Sequence, residues 1–246
     1  DLRFPFPDRF VERTEGRRIV EMRRRSKYLL ADLDSGETLI MHLGMSGRFT
    51  ISEPGGANGR MLGEYEHEAG HAAKHDHVVF HTDHGATVVY NDARRFGFMD
   101  LAATATIKAH SAFVGLGIEP LDGGLTPEFL AAAARGKKTD LKAFLLDQRI
   151  VCGLGNIYVC EALFRSRLAP TAGASRIATK AGKPTDETRL LVDTIKAVLQ
   201  EAIRAGGSTL RDHQQVDGTL GYFQHSFKVY GRENDGCVTS GCGGTI

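Results

Sequence analysis

Apolar and polar residues alternate in short runs through the first hundred positions, which is the period of half-buried β-strands. The runs are separated by turn signals such as Asp34-Ser-Gly36 and Asp83-His-Gly85. The stretch Glu53–Lys74, rich in Gly, Glu and His, is interpreted as an exposed insertion loop. We predict an antiparallel sandwich or barrel with strands at Lys27–Leu33, Glu37–His42, Arg48–Ile51, His77–Thr82, Ala86–Tyr90 and Phe96–Leu101.

Beyond residue 104 the apolar positions recur at helical spacing. Thr126 is a suitable N-cap, with Pro127 at the first helical position, and Gly206-Gly207 ends the longest apolar-periodic segment. The boundary between the two patterns falls within residues 105–125. The predicted helices are Phe129–Ala134, Thr139–Gln148, Asn156–Arg165 and Thr185–Ala205.

Composition narrows the class of protein. The 246 residues are 41% hydrophobic and 25% charged, which is enough for a buried core. The sequence has no apolar run of about 18 residues and no apolar signal-peptide core, so we expect a cytoplasmic protein without a membrane partner. Four cysteines are too few for a disulfide-stapled secreted fold, which leaves reduced thiols or a metal site.

The net charge of +1 does not by itself indicate a nucleic-acid partner, so the placement of the charges matters more than their sum. One basic cluster precedes and enters the strand at Lys27, and a second opens a helix in the other half. Each could be a solvated face, whereas two together favour the positive walls of a duplex-binding cleft. The clusters are Arg17, Arg18, Arg23, Arg24, Arg25 and Lys27, and Lys137, Lys138 and Lys142.

Three loop motifs carry candidate chemistry. The turn Gly153-Leu-Gly155-Asn156 leads into a helix and could bind a phosphate at the free amides, or could be a tight turn with an Asn cap. Leu43–Gly47 and Asn91–Gly97 each place an apolar side chain in a loop, the second beside arginine. Such side chains can form a wedge inserted into a duplex, or Met45 and Phe96 could be buried in the core.

Two further motifs concern metals. His67-Glu-Ala-Gly-His71 matches a zinc-protease pattern, but Gly70 and its polar flanks disfavour the required helix, so we favour an exposed His-rich loop. Cys237 and Cys242 lie in a glycine-rich knuckle suited to zinc, although two thiolates do not complete a tetrahedral site. Cys152 and Cys160 are interpreted as buried apolar thiols.

The order of several segments resembles that of the bacterial formamidopyrimidine-DNA glycosylases, from about residue 16 to the end of the chain. The segments are Arg24–Leu30, His42–Gly47, Lys74–His77, Asp92–Gly97, Leu116–Leu121, Gly155–Glu161, Asp217–Phe223 and Val229–Arg232.

The resemblance implies an α+β fold and a monomer that binds damaged double-stranded DNA in the bacterial nucleoid. It places an antiparallel β-sandwich catalytic domain at residues 1–104, a linker at 105–125, a helix-two-turn-helix domain at 126–229 and an incomplete zinc finger at 230–246. Cys237 and Cys242 would bind one structural Zn²⁺ with two ligands that are missing from the chain.

The resemblance also implies roles for individual residues. Lys27 would contact the phosphate beside the reacting sugar and assist β-elimination, and Glu161 would line the catalytic pocket. Met45, Arg94 and Phe96 would fill the hole left by a flipped base. The other DNA-contacting residues would be His42, His75, Lys138 and Asn156. The loop covering the oxidised purine would include Asp217, Gly218, Gly221, Tyr222, Phe223 and Gln224.

The implied reaction is excision of 8-oxoguanine and formamidopyrimidines through a Schiff base, followed by β,δ-elimination. Family members begin Pro-Glu and use the proline amine as nucleophile, whereas this chain begins Asp1-Leu-Arg3, so we expect a chain truncated at both ends and inactive as given. The alternatives are an endonuclease VIII-type glycosylase for oxidised pyrimidines, disfavoured by Arg94-Arg95-Phe96, and a non-catalytic lesion-binding protein.

Overall fold

A computed structural model of the chain describes residues 2–52, 73–208 and 222–246. It forms two compact units. The N-terminal unit comprises residues 1–114 and 206–224, and the helical unit comprises 115–205 and 225–246. The change of unit at 114/115 lies inside the segment predicted as a linker. The described residues 206–208 and 222–224 group with the N-terminal unit, whereas the resemblance places one helix-two-turn-helix domain at 126–229.

The described residues of the N-terminal unit form two antiparallel sheets, of order β1-β2-β3-β7 and β4-β6-β5. The predicted strands are confirmed to within two residues at their ends. One strand and a short helix, α1 (Phe10–Thr14), were not predicted. The strands are β1 (Ile19–Arg25), β2 (Tyr28–Leu33), β3 (Glu37–His42), β4 (Arg48–Ser52), β5 (Asp76–His81), β6 (Thr87–Asn91) and β7 (Phe98–Ala103).

Side chains from both sheets share one core, which confirms the predicted sandwich. Leu39 and Met41 of β3 lie beside Met99 of β7, and Tyr90 of β6 joins them at 1% exposure. The alternation along each strand sends these side chains to one face because successive residues of a strand point to opposite sides. The N-terminal unit therefore buries one face of each sheet against the other.

The helical unit contains four α-helices around a second core. Thr126 caps the first, accepting the Phe129 N–H at 3.1 Å, with Pro127 at the first helical position as predicted. In the longest helix Leu191, Ile195 and Val198 recur at helical spacing and are buried. The helices are α2 (Pro127–Ala134), α3 (Leu141–Leu146), α4 (Asn156–Arg165) and α5 (Asp186–Arg204).

The turn between α3 and α4 is fixed by one side chain. The Gln148 amide donates to the carbonyls of Leu146 and Leu154, both at 2.9 Å, and its oxygen accepts the Gly153 N–H at 2.8 Å. This turn, with α3 shorter than predicted, sets the start of α4. Throughout residues 2–52, 73–208 and 222–246, no helix has the length and apolar character needed to cross a bilayer.

Candidate nucleic-acid interface

Two loops of the N-terminal unit project from strand ends. The first loop, Leu43–Gly47, connects β3 to β4 and so passes from one sheet to the other. The second loop, Asp92–Gly97, connects β6 to β7 and makes the same crossing in reverse. We call them the first and second wedge loops.

One apolar side chain of each wedge loop faces solvent. Met45 is 64% exposed and Phe96 is 44% exposed, so the interpretation that they are buried in the core is wrong. The guanidinium carbon of Arg94 lies 4.7 Å from the centroid of the Phe96 ring, a cation–π contact. The side chains sit on turns that cross between sheets rather than on the alternating strands, so alternation does not predict their direction.

A buried carboxylate lies beneath both wedge loops. Asp92 has no exposed surface and accepts hydrogen bonds from the Ser46 hydroxyl at 2.6 Å and the Gly97 N–H at 2.8 Å. Ser46 also accepts the Arg94 N–H at 3.2 Å. The Asp92 N–H donates to the carbonyl of half-buried His75, so this predicted DNA-contacting residue is connected to the second loop by its backbone.

Lys27 stands in the two-residue turn between β1 and β2, where Ser26 has a left-handed φ of 54°. Its side chain reaches solvent, although surrounding protein atoms desolvate the ammonium group and lower its pKa. A cation with reduced hydration loses less on contacting an anion directly. This geometry suits the phosphate contact expected for Lys27.

His42 ends β3, half-buried between aromatic rings. Its ring stacks on Phe98 with centroids 5.6 Å apart, and its Nδ1 accepts the Gly44 N–H at 3.0 Å. Burial, and then the positive charges of Lys27 and Arg3, lower the pKa of His42. The neutral imidazole with its hydrogen on Nε2 is thus favoured, and that hydrogen is available to a phosphate oxygen.

Arg3 is a cation that the sequence interpretation missed. Its side chain is exposed, its charge affects His42, and its N–H donates to the Gly97 carbonyl at 3.0 Å, which connects it to the second wedge loop. Lone arginines in irregular segments carry no periodic signal. Arg3 lies near the wedge loops because of the three-dimensional path of the chain, which no local sequence pattern encodes.

Asn156 is the first residue inside α4, so the alternative in which it caps the helix is wrong. The N-cap is Gly155, in an extended conformation and without a side-chain hydrogen bond to the helix. The exposed Asn156 side chain instead accepts the Cys160 thiol at 3.6 Å. The start of α4 therefore combines a partial positive charge with an exposed amide, as phosphate binding requires. Lys138, between α2 and α3, is also exposed.

Glu161 is placed differently from a residue that lines an open pocket. Its side chain has no exposed surface, and its carboxylate accepts the N–H groups of Lys228, Val229 and Tyr230 at 2.9 to 3.1 Å. Arg165 lies 4.0 Å away. These contacts give Glu161 a role in holding residues 228–230 against α4, which the sequence did not reveal because the partners are backbone atoms.

The basic cluster before Lys27 lies on an edge strand, as its solvated interpretation suggested. Arg23 of β1 makes two hydrogen bonds to Asp32, at 2.6 and 2.8 Å, so its charge is already paired. The Arg24 guanidinium donates to the Ser26 carbonyl at 2.7 Å and thus supports the turn that carries Lys27.

The expected lesion-covering loop is described only at its end. Tyr222 is 60% exposed, whereas Phe223 is 1% exposed and its N–H donates to the Gly207 carbonyl at 3.0 Å. Gln224 is half-buried. Asp217, Gly218 and Gly221 lie outside the described residues, as do His67 and His71.

The cysteines differ from one another. Cys152 is buried as predicted, yet its thiol donates to the Glu119 carboxylate at 3.2 Å, and Cys160 is half-buried rather than buried because it lies on the Asn156 side of α4. The Thr239 N–H donates to the Cys237 sulfur at 3.4 Å in the knuckle. Within the described part of the chain no three His, Cys, Asp or Glu side chains could hold a metal ion, so Cys237 and Cys242 do not complete a zinc site there.

Comparison with known proteins decides the family. A family model described as the formamidopyrimidine-DNA glycosylase N-terminal domain matches residues 1–99, and one described as the H2TH domain of the same enzyme matches residues 116–214. The chain belongs to the formamidopyrimidine-DNA glycosylase family. The α+β fold predicted from the sequence is confirmed for this family.

Relatives in this family match throughout. The formamidopyrimidine-DNA glycosylases of Rhodopseudomonas palustris and Rhizobium etli are each 55% identical to this chain. Each alignment covers 100% of this chain and 83% of the relative. The MutM (Fpg) protein of Thermus thermophilus is 34% identical, with a TM-score of 0.78 over 98% of this chain and 80% of its own. The Lactococcus lactis Fpg in complex with abasic-site DNA is 28% identical, with a TM-score of 0.77 over 96% and 80%.

Proposed function

We propose that this protein, when it carries the family's N-terminal Pro-Glu sequence, acts in base-excision repair as a DNA glycosylase and AP lyase that removes formamidopyrimidines and 8-oxoguanine from duplex DNA. The observation that carries the proposal is the display of Met45 and Phe96 on two neighbouring turns, with Arg94 stacked on the Phe96 ring, since apolar side chains beside a guanidinium can replace the stacking and hydrogen bonds of a base that leaves the duplex. Family membership over the whole chain supports it.

The wedge residues would act on the distorted duplex. Swinging a nucleotide out of the helix costs a few kcal/mol of unstacking. Met45 and Phe96 would replace the lost stacking, and Arg94 would donate hydrogen bonds to the base left without a partner. Its contact with the Phe96 ring restricts the guanidinium before DNA arrives.

The cations beside the wedge would hold the strand at the reacting nucleotide. We assign Lys27 to the phosphate next to the reacting sugar, with assistance to β-elimination, and His42 to a phosphate oxygen through its Nε2 hydrogen. Lys138, Asn156 and the α4 amides would bind other backbone phosphates. These contacts position the duplex without reading its sequence.

The partner would be damaged double-stranded DNA bound by a monomer. Solved relatives include Lactococcus lactis Fpg with DNA containing an abasic site and a mutant of the same protein with DNA containing Fapy-dG. We place the protein near the bacterial nucleoid on the strength of that partner. A structural Zn²⁺ at the knuckle is proposed only together with two further ligands that the described residues do not supply, with Cys237 and Cys242 as two of its four ligands.

Binding and trapping test the proposal separately. Binding to a duplex with a tetrahydrofuran abasic site should be at least tenfold tighter than to the undamaged duplex. Borohydride trapping on 8-oxoguanine duplex, with a version of the chain that begins with the family's Pro-Glu sequence, should give a covalent adduct through the N-terminal amine. Equal affinity for the two duplexes would refute lesion recognition, and stronger trapping on an oxidised pyrimidine would favour the endonuclease VIII alternative.

A further inference from the structure

The three wedge side chains are carried by two separate loops. Met45 belongs to the first wedge loop, and Arg94 and Phe96 belong to the second. The strands at the ends of the loops are paired, β3 with β7 and β4 with β6, so the roots of the two loops lie side by side. The loops themselves belong to no strand ladder or helix, so further contacts are needed to hold their displayed side chains as one wedge.

The Asp92 carboxylate provides such contacts. Its Oδ1 accepts the Ser46 hydroxyl of the first loop at 2.6 Å, and its Oδ2 accepts the Gly97 N–H at the end of the second loop at 2.8 Å. The Tyr90 hydroxyl donates to Oδ2 at 3.3 Å. Charge-assisted hydrogen bonds away from water are stronger than neutral ones, so this one group holds both loops.

The backbones of the two loops also touch. A Cβ atom on Gly44 of the first loop would lie 2.5 Å from the Phe96 carbonyl carbon of the second loop. One on Gly97 would lie 2.6 Å from the carbonyl oxygen of His42, the residue of β3 from which the first loop starts. Gly44 has a φ of +64° as well. Only glycine fits where the loops approach so closely, which places Met45 and Phe96 on a common support.

We infer that Asp92 is a positioning residue that sets Met45, Arg94 and Phe96 as one preformed wedge before DNA binds. The inference rests on the proposed function, because it assumes that these side chains enter the duplex. Asp92 is buried and acts through the Ser46 hydroxyl and the amides of the second loop.

The test measures the ratio of affinities for an abasic-site duplex and an undamaged duplex. A 2-aminopurine opposite the tetrahydrofuran site reports whether the wedge has entered. Asp92→Asn keeps the size of the side chain but removes its charge and one acceptor. We expect the ratio to fall about tenfold, with a changed fluorescence signal and with the affinity for undamaged duplex altered less than about twofold.

A matched pair of milder variants covers the case in which Asp92→Asn fails to fold. Ser46→Ala removes the hydroxyl that donates to Asp92 at 2.6 Å, and Thr38→Val removes a hydroxyl that donates to Asp32 at the same distance. Thr38 lies in β3, outside both loops. We expect Ser46→Ala to lower the affinity ratio about threefold and Thr38→Val to leave it unchanged.

The outcomes separate the inference from the function beneath it. A purely structural role would lower the folded fraction and weaken binding to both duplexes equally, so an unchanged ratio in Asp92→Asn and Ser46→Ala would overturn the inference. The same holds if Thr38→Val lowers the ratio as much as Ser46→Ala does. An unsubstituted chain without any preference for the abasic site would overturn the proposed wedge and this inference together.

Discussion

The wedge loops of the N-terminal unit and the α3–α4 turn of the helical unit are both irregular segments, and different kinds of hydrogen bond hold them in place. Each is an irregular segment fixed by one polar side chain, Asp92 in the first case and Gln148 in the second. Asp92 accepts from Ser46 and from backbone amides, whereas Gln148 both donates and accepts. The charged Asp92 carboxylate thus fixes loops that expose side chains to solvent, and the neutral Gln148 amide fixes a turn that exposes backbone N–H groups.

The difference fits what each segment would contact. The wedge loops point Met45 and Phe96 outward, which suits apolar contact with bases. The α3–α4 turn ends at Gly155 without a side-chain cap, which suits contact with phosphate. The comparison predicts that damage to the loops impairs lesion recognition, whereas damage to the turn impairs binding to any duplex.

The largest expected effect is a loss of stability when a glycine is replaced where backbone segments approach closely, at the wedge loops and at the α3–α4 turn. Gly97→Ala would bring a Cβ to 2.6 Å from the His42 carbonyl oxygen, and Gly117→Ala to 2.2 Å from the Ile150 carbonyl oxygen. Each should lower the free energy of unfolding by about 3 kcal/mol, measured by urea denaturation. Gly173→Ala, with nothing within 4 Å, serves as the control and should change it by less than about 1 kcal/mol. Equal effects at all three positions would contradict these contacts.

Arg94→Ala tests the wedge directly. Removing the guanidinium should weaken binding to an abasic-site duplex about tenfold, measured by fluorescence anisotropy, because a charged donor to the unpaired base is lost. Arg176→Ala removes an exposed arginine paired with Glu187 in the helical unit and provides a control for charge. If both variants lose affinity equally, Arg94 contributes only charge.

Asn156→Asp tests the start of α4, because this substitution should raise the stability of the helical unit but lower its affinity for DNA. A carboxylate in the first turn of α4 should stabilise the helical unit by about 0.5 kcal/mol. It should also repel phosphate and weaken binding to damaged and undamaged duplexes by a similar factor of about three. Thermal unfolding and anisotropy measure the two effects, and a selective loss of lesion binding would contradict the assignment.

The smallest expected effect concerns pH. Burial and nearby positive charge lower the pKa of His42, so the folded state binds fewer protons than the unfolded state. Stability should therefore fall as pH decreases through about 6.5 towards the lowered pKa of the folded state. His42→Gln should flatten the difference in unfolding free energy between pH 7 and pH 5, whereas His84→Gln, at an exposed position, should not. A flat profile in the unsubstituted chain would contradict this expectation.

The sequence predicted the elements better than the contacts between them. Alternation located the strands from β2 to β7, and helical spacing located α4 and α5 closely. It missed β1, where Arg23 and its neighbours obscure the alternation because the partner charge, Asp32, lies on the next strand. The loop that carries Met45 is bonded through Ser46 to Asp92, 46 residues further along the chain, and no local pattern encodes that contact.

The buried Glu161 carboxylate has a consequence for how the molecule opens. If residues 228–230 detached from α4, a charge would lose three amide donors and be left near Arg165 alone. Such a penalty makes fraying of this segment separately from α4 rare. The amides of Lys228, Val229 and Tyr230 should therefore exchange with deuterium at rates similar to those in the middle of α4, as one cooperative opening unit.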